Sequence, residues 1–329
     1  GDHIVVSSSL YGGTYNLFNY TLPKMGITST FIDEPDDLDA WAAAIQDNTK
    51  AFYGETIGNP RANVLDIAGI SELAHANQVP LIVDNTVATP YLLNPIKHGA
   101  DVVVHSATKF IGGHGNSIGG LLIDGGTFDF GASGKHPMLT EPDPSYHGLP
   151  YWSALGPGAY IIKARVQLLR DLGPAVAPLN SFLFLQGLET LSLRMERHFE
   201  NAQKVAEYLA GHPQVEGVSY AGLPDSKWYE RATELGGGKG YGSIVAFDIV
   251  GGADAGQKFV SALDLHSHVA NIGDAKSLVI HPASSTHNQL TEEEQAATGV
   301  RAGLVRLSVG LETITDIIAD LESGFAAVK

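Results

Sequence analysis

The chain has 329 residues, 44% of them apolar, with a mean hydropathy of +0.02 and a formal net charge of −16. That is enough to bury a large core over two domains, and acidic enough that nucleic acid is not an expected partner. Cysteine is absent, which excludes disulfides, thiolate metal sites and any route through an enzyme-bound persulfide.

No apolar run is long enough to cross a bilayer, so no membrane partner is expected. The opening GDHIVVSSSLYGG lacks the basic-then-apolar order of a signal peptide, and a cytoplasmic location is expected. Because it begins inside a strand pattern, a preceding segment is also expected. His3–Ser7 reads as that strand, followed by Tyr11 and two glycines. A tyrosine so placed can lay its ring against a ligand without backbone obstruction; packing at a turn is the alternative. Short apolar runs follow at Lys50–Tyr53, Pro80–Val83 and Asp101–Val104, leading into ETIGNP, DNTVATP and HSATK. Such runs fit strands covered by helices on both faces. Leu65, Ile67, Ile70 and Leu73 give helical spacing over Asp66–Asn77. The alternation predicts an α/β fold with a mainly parallel sheet.

Each run ends in polar residues, and in open α/β sheets the ligand lies beyond the carboxyl ends of the strands. Asn59, Asp84 and Lys109 are therefore aimed at one region. A lysine just past a buried strand can be desolvated, which lowers its pKa and frees the amine for Schiff-base chemistry; a surface lysine after a strand is the alternative. If Ser106–Lys109 is extended, Ser106 and Thr108 share a face and can bind a phosphate, with Lys109 on the other face. Asp84 suits the partner of a protonated pyridine nitrogen, with Thr86 supporting the ring; a turn cap is the alternative for Asp84. IGGHGNSIGG lacks the ending of a phosphate loop and reads as a tight turn.

Thr127–Pro178 reads as loop with one helix around Ala159–Leu172, and a long amphipathic helix is predicted over Leu183–Ala210. Strands at Ser243–Val250 and Val305–Val309, with helices at Ala255–Leu263 and Thr315–Val328, predict a smaller α+β domain. The expected division is 1–190 and 191–329. Arg306 sits in the alternating VRLSVGLE, where a guanidinium can grip a carboxylate by two points; a solvated strand arginine is the alternative. The chain has 13 histidines but no metal-ligand spacing: His281 and His287 in HPASSTH fall in apparent loop, and no metal is expected.

Together these segments resemble the Cys/Met-metabolism family of pyridoxal-phosphate enzymes, the group of cystathionine synthases and lyases. SLYGGT, ETIGNP, VDNTVATPYL, HSATKFIGGHG, LETLSLRMERH, HPASSTH and VRLSVGLE occur in family order over essentially the whole chain. The resemblance implies a fold-type-I, aspartate-aminotransferase-like large domain and pyridoxal 5'-phosphate as cofactor. Lys109 would carry it as a Schiff base and shuttle protons, with Tyr11 stacked on the ring and counted beside Lys109 as catalytic. Asp84 and Thr86 would serve the ring, and Ser106 and Thr108 the phosphate. Asn59 and Arg306 would hold the substrate's α-carboxylate, with Asn271 in the loop on that side.

Within the family, GETIGNP, ASGKHPMLTEPDPSYHGL and ANIGDAKSLVIHPASSTH are most similar to the O-acetylhomoserine sulfhydrylase branch. That likeness implies a transferase of methionine biosynthesis, a homotetramer with shared active sites. It would replace the acetate of an amino-acid ester by sulfide or methanethiol. O-succinylhomoserine sulfhydrylase, cystathionine γ-synthase and methionine γ-lyase are the near alternatives, and a non-catalytic subunit the distant one. The sequence departs from the family pattern at Asn116, and the family's N-terminal arm and Gly-rich phosphate turn are not in it.

Overall fold

Residues 1–285 and 300–328 are described by a computed structural model of the chain; His287 lies outside the described residues. The first sheet contains β1 (His3–Ser7), β2 (Thr28–Ile32), β3 (Thr49–Glu55), β4 (Leu81–Asp84), β5 (Val102–Ser106) and β6 (Gly120–Asp124). Their spatial order is β2-β1-β3-β4-β5-β6. β1 to β5 are parallel, and β6 pairs antiparallel with β5. The order reverses at β1, which has β2 on one side and β3 on the other. Chain connections part at such a point and leave a crevice beyond the strand ends.

The expected helix is α1 (Ile67–Ala76), whose N-cap Asp66 accepts a hydrogen bond from Gly69 N–H. Its Ile67 and Ile70 join Val5, Phe52, Leu81 and Val83 in one buried cluster. The register pairs Phe52 with Leu81 and Glu55 with Asp84. Two acidic residues are thereby set side by side at the carboxyl edge.

The segment expected to be loop with one helix holds several. Helices at Pro137–Thr140 and Tyr151–Leu155 precede a helical stretch from Ala159 to Leu172 that passes through a π-helical turn at Ala164–Leu169. Phe130, Leu139, Tyr151 and Ala159 form a local core there, built from aromatic contacts that have no regular spacing in sequence.

The single helix expected over Leu183–Ala210 is two: α2 (Pro178–Glu189) and α3 (Leu191–Ala210), broken at Thr190 (φ −109°, ψ 7°). The Gly187 carbonyl near the end of α2 accepts from Arg194 Nη2 at 2.7 Å. Thr190 N–H also donates to it, at 3.3 Å, so a guanidinium and a tightened last turn together satisfy this terminal carbonyl. The face of α3 is divided between two cores. Leu191, Met195 and Phe199 pack with the parallel sheet, whereas Ala202, Val205 and Leu209 pack with the second sheet.

That second sheet contains β7 (Val215–Ser219), β8 (Ile244–Ile249), β9 (Ser267–His268), β10 (Leu278–Ile280) and β11 (Leu304–Ser308), in the order β7-β8-β11-β10-β9. All its pairings are antiparallel except β9 with β10. α4 (Tyr229–Gly236) lies between β7 and β8 in sequence, and α5 (Gly252–Ser261) and α6 (Ile314–Ala327) complete the unit. Phe247, Phe259 and Phe325 lie at the centre of its core. β2, β6, β7, β9 and β10 were not expected. β2 and β6 lie at the edges of the first sheet and β7 at an edge of the second, and partial exposure there weakens an apolar signal.

Three histidines are held neutral. Burial lowers His105 on β5, His136 and His198 on α3 to about 4. His198 Nδ1 bonds the Val309 carbonyl at 2.7 Å, and its buried Nε2 has no hydrogen-bond partner among the described residues. An unfolded chain takes up these protons near pH 6.5. It therefore binds more protons than the folded chain between about pH 6.5 and 4, and stability falls as pH drops through that window. Buried carboxyls such as Glu55 act with the opposite sign there, so urea titrations from about pH 7 to about pH 4.5 should show the parent's unfolding midpoint losing more, relative to its value at pH 7, than that of His136→Gln. Equal changes in the two would refute the neutral burial of that ring.

Candidate active site

A cavity of about 400 Å³ opens at the switch point, between the carboxyl edge of the parallel sheet and β11 of the second. β1 delivers Tyr11 to it, β3 Glu55 and the following turn Asn59, and β4 Asp84 with Thr86 just beyond. β5 delivers Ser106 and Lys109, β11 brings Arg306, and the loop before β10 brings Asn271. Of the site residues expected from sequence, Thr108 alone does not line the cavity.

Thr108 is displaced because Ser106–Lys109 is not extended. β5 ends at Ser106, and the chain turns at once: Gly112 N–H donates to the Ala107 carbonyl at 2.8 Å and Gly113 N–H to that of Lys109 at 2.7 Å. The Thr108 hydroxyl exchanges hydrogen bonds with the Gly119 carbonyl and N–H, at 3.3 and 3.1 Å. It ties the turn to the start of β6. Lys109 Nζ donates to Asn271 Oδ1 and stands 5.9 Å from the Tyr11 ring centroid. Burial, helped by the charge of Arg306, lowers the Lys109 amine below its ordinary value.

At the acidic end, Asp84 Oδ1 accepts from Thr86 N–H at 2.8 Å. Burial raises the Asp84 carboxyl, while hydrogen bonds from Thr86 and the Tyr53 hydroxyl work the other way. Thr86 Oγ1 also accepts from Ser106 N–H at 2.8 Å, linking the ends of β4 and β5. Glu55, beside Asp84, accepts from Tyr11 N–H at 2.6 Å, a bond that spans the switch point from β3 to the turn after β1. Burial and then the Asp84 charge push the Glu55 carboxyl well above the usual range. Sequence reasoning missed Glu55, although the rule that found Asn59 in ETIGNP covers it.

Arg306 forms the opposite wall. It is 7% exposed, which excludes a solvated strand arginine. Its Nη1 donates to Asn59 Oδ1 and its Nη2 to the Asn271 carbonyl, both at 3.0 Å. Burial pushes its guanidinium down to about 10, and its buried Nε has no hydrogen-bond partner among the described residues. A buried cation with an orphaned donor suits an anionic ligand.

This donor set fits pyridoxal phosphate with an amino-acid substrate. The cavity lies within the size range of small-ligand sites. Its desolvated amine matches an aldehyde, its buried carboxyl a protonated ring nitrogen, and its orphaned guanidinium donor a carboxylate. A cation placed against Asp84 would favour the ionised carboxylate that burial opposes. Ser106 is the expected phosphate hydroxyl that lines the cavity.

Comparison with known proteins agrees. The family described as Cys/Met metabolism PLP-dependent enzyme matches residues 1–326. O-acetyl-L-homoserine sulfhydrylase of Leptospira meyeri is 56% identical, over 98% of this chain and 74% of its own length. The Corynebacterium glutamicum protein of the same name is 54% identical, over 100% of this chain and 76% of its own. A Campylobacter jejuni structure carrying N'-pyridoxyl-lysine-5'-monophosphate superposes with a TM-score of 0.95 at 39% identity, over 99% of this chain and 77% of that one. With a mainly parallel large sheet, a mixed smaller one and this likeness in sequence and structure, the chain is a fold-type-I member of the Cys/Met-metabolism family of pyridoxal-phosphate-dependent enzymes.

Proposed function

We propose that this chain exchanges the acetate of O-acetylhomoserine for sulfide, breaking the γ-carbon–oxygen bond and forming a γ-carbon–sulfur bond to give homocysteine. Methanethiol in place of sulfide gives methionine. The observation that carries the reading is the desolvated Lys109 amine in one cavity with the Asp84 carboxyl and the Arg306 guanidinium. The choice of ester follows the likeness to the Leptospira and Corynebacterium sulfhydrylases.

Pyridoxal phosphate supplies an aldehyde and an electron-withdrawing ring at this site. Asp84 holds the ring nitrogen by charge, with Thr86 fixing the carboxyl. Ser106 binds the phosphate, and Tyr11 presents the face of its ring to the cofactor. Arg306 grips the substrate's α-carboxylate, and Asn59 and Asn271 fix the plane of that guanidinium. Lys109 Nζ takes the α-proton and then a β-proton, and returns one to the β-carbon and one to the α-carbon once sulfur has added. Its depressed pKa keeps more of the amine in the neutral, proton-accepting form near neutrality. Asn271 Oδ1 holds that amine on the cavity side of the turn.

Borohydride reduction with pyridoxal phosphate, followed by peptide mapping, should place the pyridoxyl group on Lys109. Finding it on Lys97 or Lys135 would sink the assignment. Lys109→Ala should abolish turnover even where the cofactor still binds. Faster turnover of O-succinylhomoserine than of the acetyl ester, or release of methanethiol from methionine as the main reaction, would overturn the reaction assigned.

Arg306 should act mainly on KM, because the carboxylate it grips is remote from the leaving acetate and held alike in ground and transition states. Truncating one side of a buried charge pair costs about 2–5 kcal/mol, so Arg306→Ala should lower kcat/KM at least tenfold. Arg306→Lys should recover part of that, since an ammonium lacks the planar two-point grip. If Arg306→Ala stays within about threefold of the parent, less than a typical neutral hydrogen bond is worth, the anchor lies elsewhere.

We further infer a homotetramer working in the cytoplasm, closed symmetric assemblies being the common case for soluble oligomers. Sedimentation of the active protein should show the tetramer, and a fully active monomer is incompatible with it.

A further inference from the structure

Arg194 lies outside the cavity, in LETLSLRMERH, and no step described above uses it. It occupies the first turn of α3, is 7% exposed, and burial lowers its guanidinium. Nη1 donates to the Phe110 carbonyl at 2.7 Å. Nη2 donates to the carbonyls of Ile111 at 3.3 Å and Gly187 at 2.7 Å, and Nε to Thr190 Oγ1 at 3.3 Å. None of these acceptors is a carboxylate, so a full charge is buried against neutral groups, an expensive arrangement. Two of the carbonyls belong to the residues directly after Lys109.

The same turn is closed from other sides. Gly187 of α2 lies so near that a Cβ there would sit 2.2 Å from the Ile111 carbonyl oxygen. Gly273, at φ +74°, approaches from the Asn271 loop, where a Cβ would sit 2.6 Å from Phe110 N and 2.9 Å from the Lys109 carbonyl carbon. Ala275 N–H donates to the Gly113 carbonyl at 2.9 Å. The guanidinium is the side chain that joins the end of α2, the start of α3 and the lysine turn.

We propose that Arg194 is a positioning residue for Lys109: its planar fork fixes the Phe110 and Ile111 carbonyls, and with them the backbone from which the Lys109 amine reaches the cavity. The inference rests on the role given to Lys109 above. A lysine at 194 keeps the charge but offers one donor centre, which cannot hold two carbonyls in a fixed plane. Releasing the turn should misplace the amine, and a displacement of about 1 Å can cost about 100-fold in rate. Arg306 and Asn59 stay in place, so the grip on the substrate should not change.

The test uses Arg194→Lys and Arg194→Gln in the whole holoenzyme. Arg197→Ala serves as control, a residue of the same helix with 41% of its side chain exposed. Three readouts are taken: thermal unfolding, kcat and KM for O-acetylhomoserine, and the rate at which borohydride traps the pyridoxyl group on Lys109 at fixed pyridoxal phosphate. Arg194→Lys should fold, with kcat and trapping rate each lowered about 10- to 100-fold and KM within about threefold. Arg197→Ala should match the parent in all three.

A folded Arg194→Lys with the parent's kcat and trapping rate would overturn the proposal, because charge alone would then suffice. Failure of both variants to fold would also overturn it, by making Arg194 a residue of overall stability. If only Arg194→Gln fails to fold, Arg194→Lys decides alone. A parent that traps the group on Lys109 but shows no sulfhydrylase turnover refutes the proposed reaction, while the trapping rates still decide Arg194. A parent that traps none there refutes both.

Discussion

Parallel pairing from β1 to β5 puts the carboxyl ends of five strands on one edge, and the chemistry of this chain depends on that constraint. Antiparallel strands would send alternate ends to opposite edges. Here Tyr11, Glu55, Asp84 and Lys109 leave their strands in the same direction. The reversal of order at β1 then opens the crevice between the turn after β1 and the end of β3. The hydrogen bond from Tyr11 N–H to Glu55 crosses that gap and fixes how far the tyrosine stands from the sheet.

The cavity gathers charges without neutralising them. Lys109 and Arg306 stand on one side, and burial shifts both toward their neutral forms. Asp84 and Glu55 stand together on the other, and burial does the same to them. Among the described residues no salt bridge joins the two sets. A ligand with a cationic ring nitrogen at one end and anionic groups at the other completes both at once. Each of the four groups is destabilised by desolvation before binding and relieved by it. The polarity of the site thus selects the orientation of its ligand before any shape is considered.

Much of this was legible in the sequence because each strand announces itself twice, by an apolar run and by the polar residues that end it. Asn59, Asp84 and Lys109 follow from that rule alone, and Asp66–Asn77 from helical spacing. Thr108 does not, since the direction of a hydroxyl depends on whether the backbone extends or turns, and the turn is set by contacts with α2, α3 and the Asn271 loop. The break at Thr190 was hidden for a related reason. The Leu183–Ala210 pattern stays amphipathic across the break, where the Gly187 carbonyl accepts from a guanidinium four residues past Thr190 that also bonds to the turn near residue 111. Asn271 lies in a loop, where periodicity carries no information and only likeness to a family could point to it.

A long amine and a rigid catalyst are in tension. The Lys109 side chain has four rotatable carbons, and ordering such a chain costs up to about 2 kcal/mol of entropy. The protein resolves this by immobilising both ends. The backbone end is held by the tight turn, the Thr108–Gly119 hydrogen bonds and the carbonyls engaged by Arg194. The amine end is held by the Asn271 amide. Asn271 also gives its backbone carbonyl to Arg306, so one residue bridges the Lys109 amine and the Arg306 guanidinium. α3 performs the matching task on a larger scale, since its buried face joins the two cores and its first turn carries Arg194. The spacing between lysine and arginine is therefore fixed twice, locally through Asn271 and globally through α3.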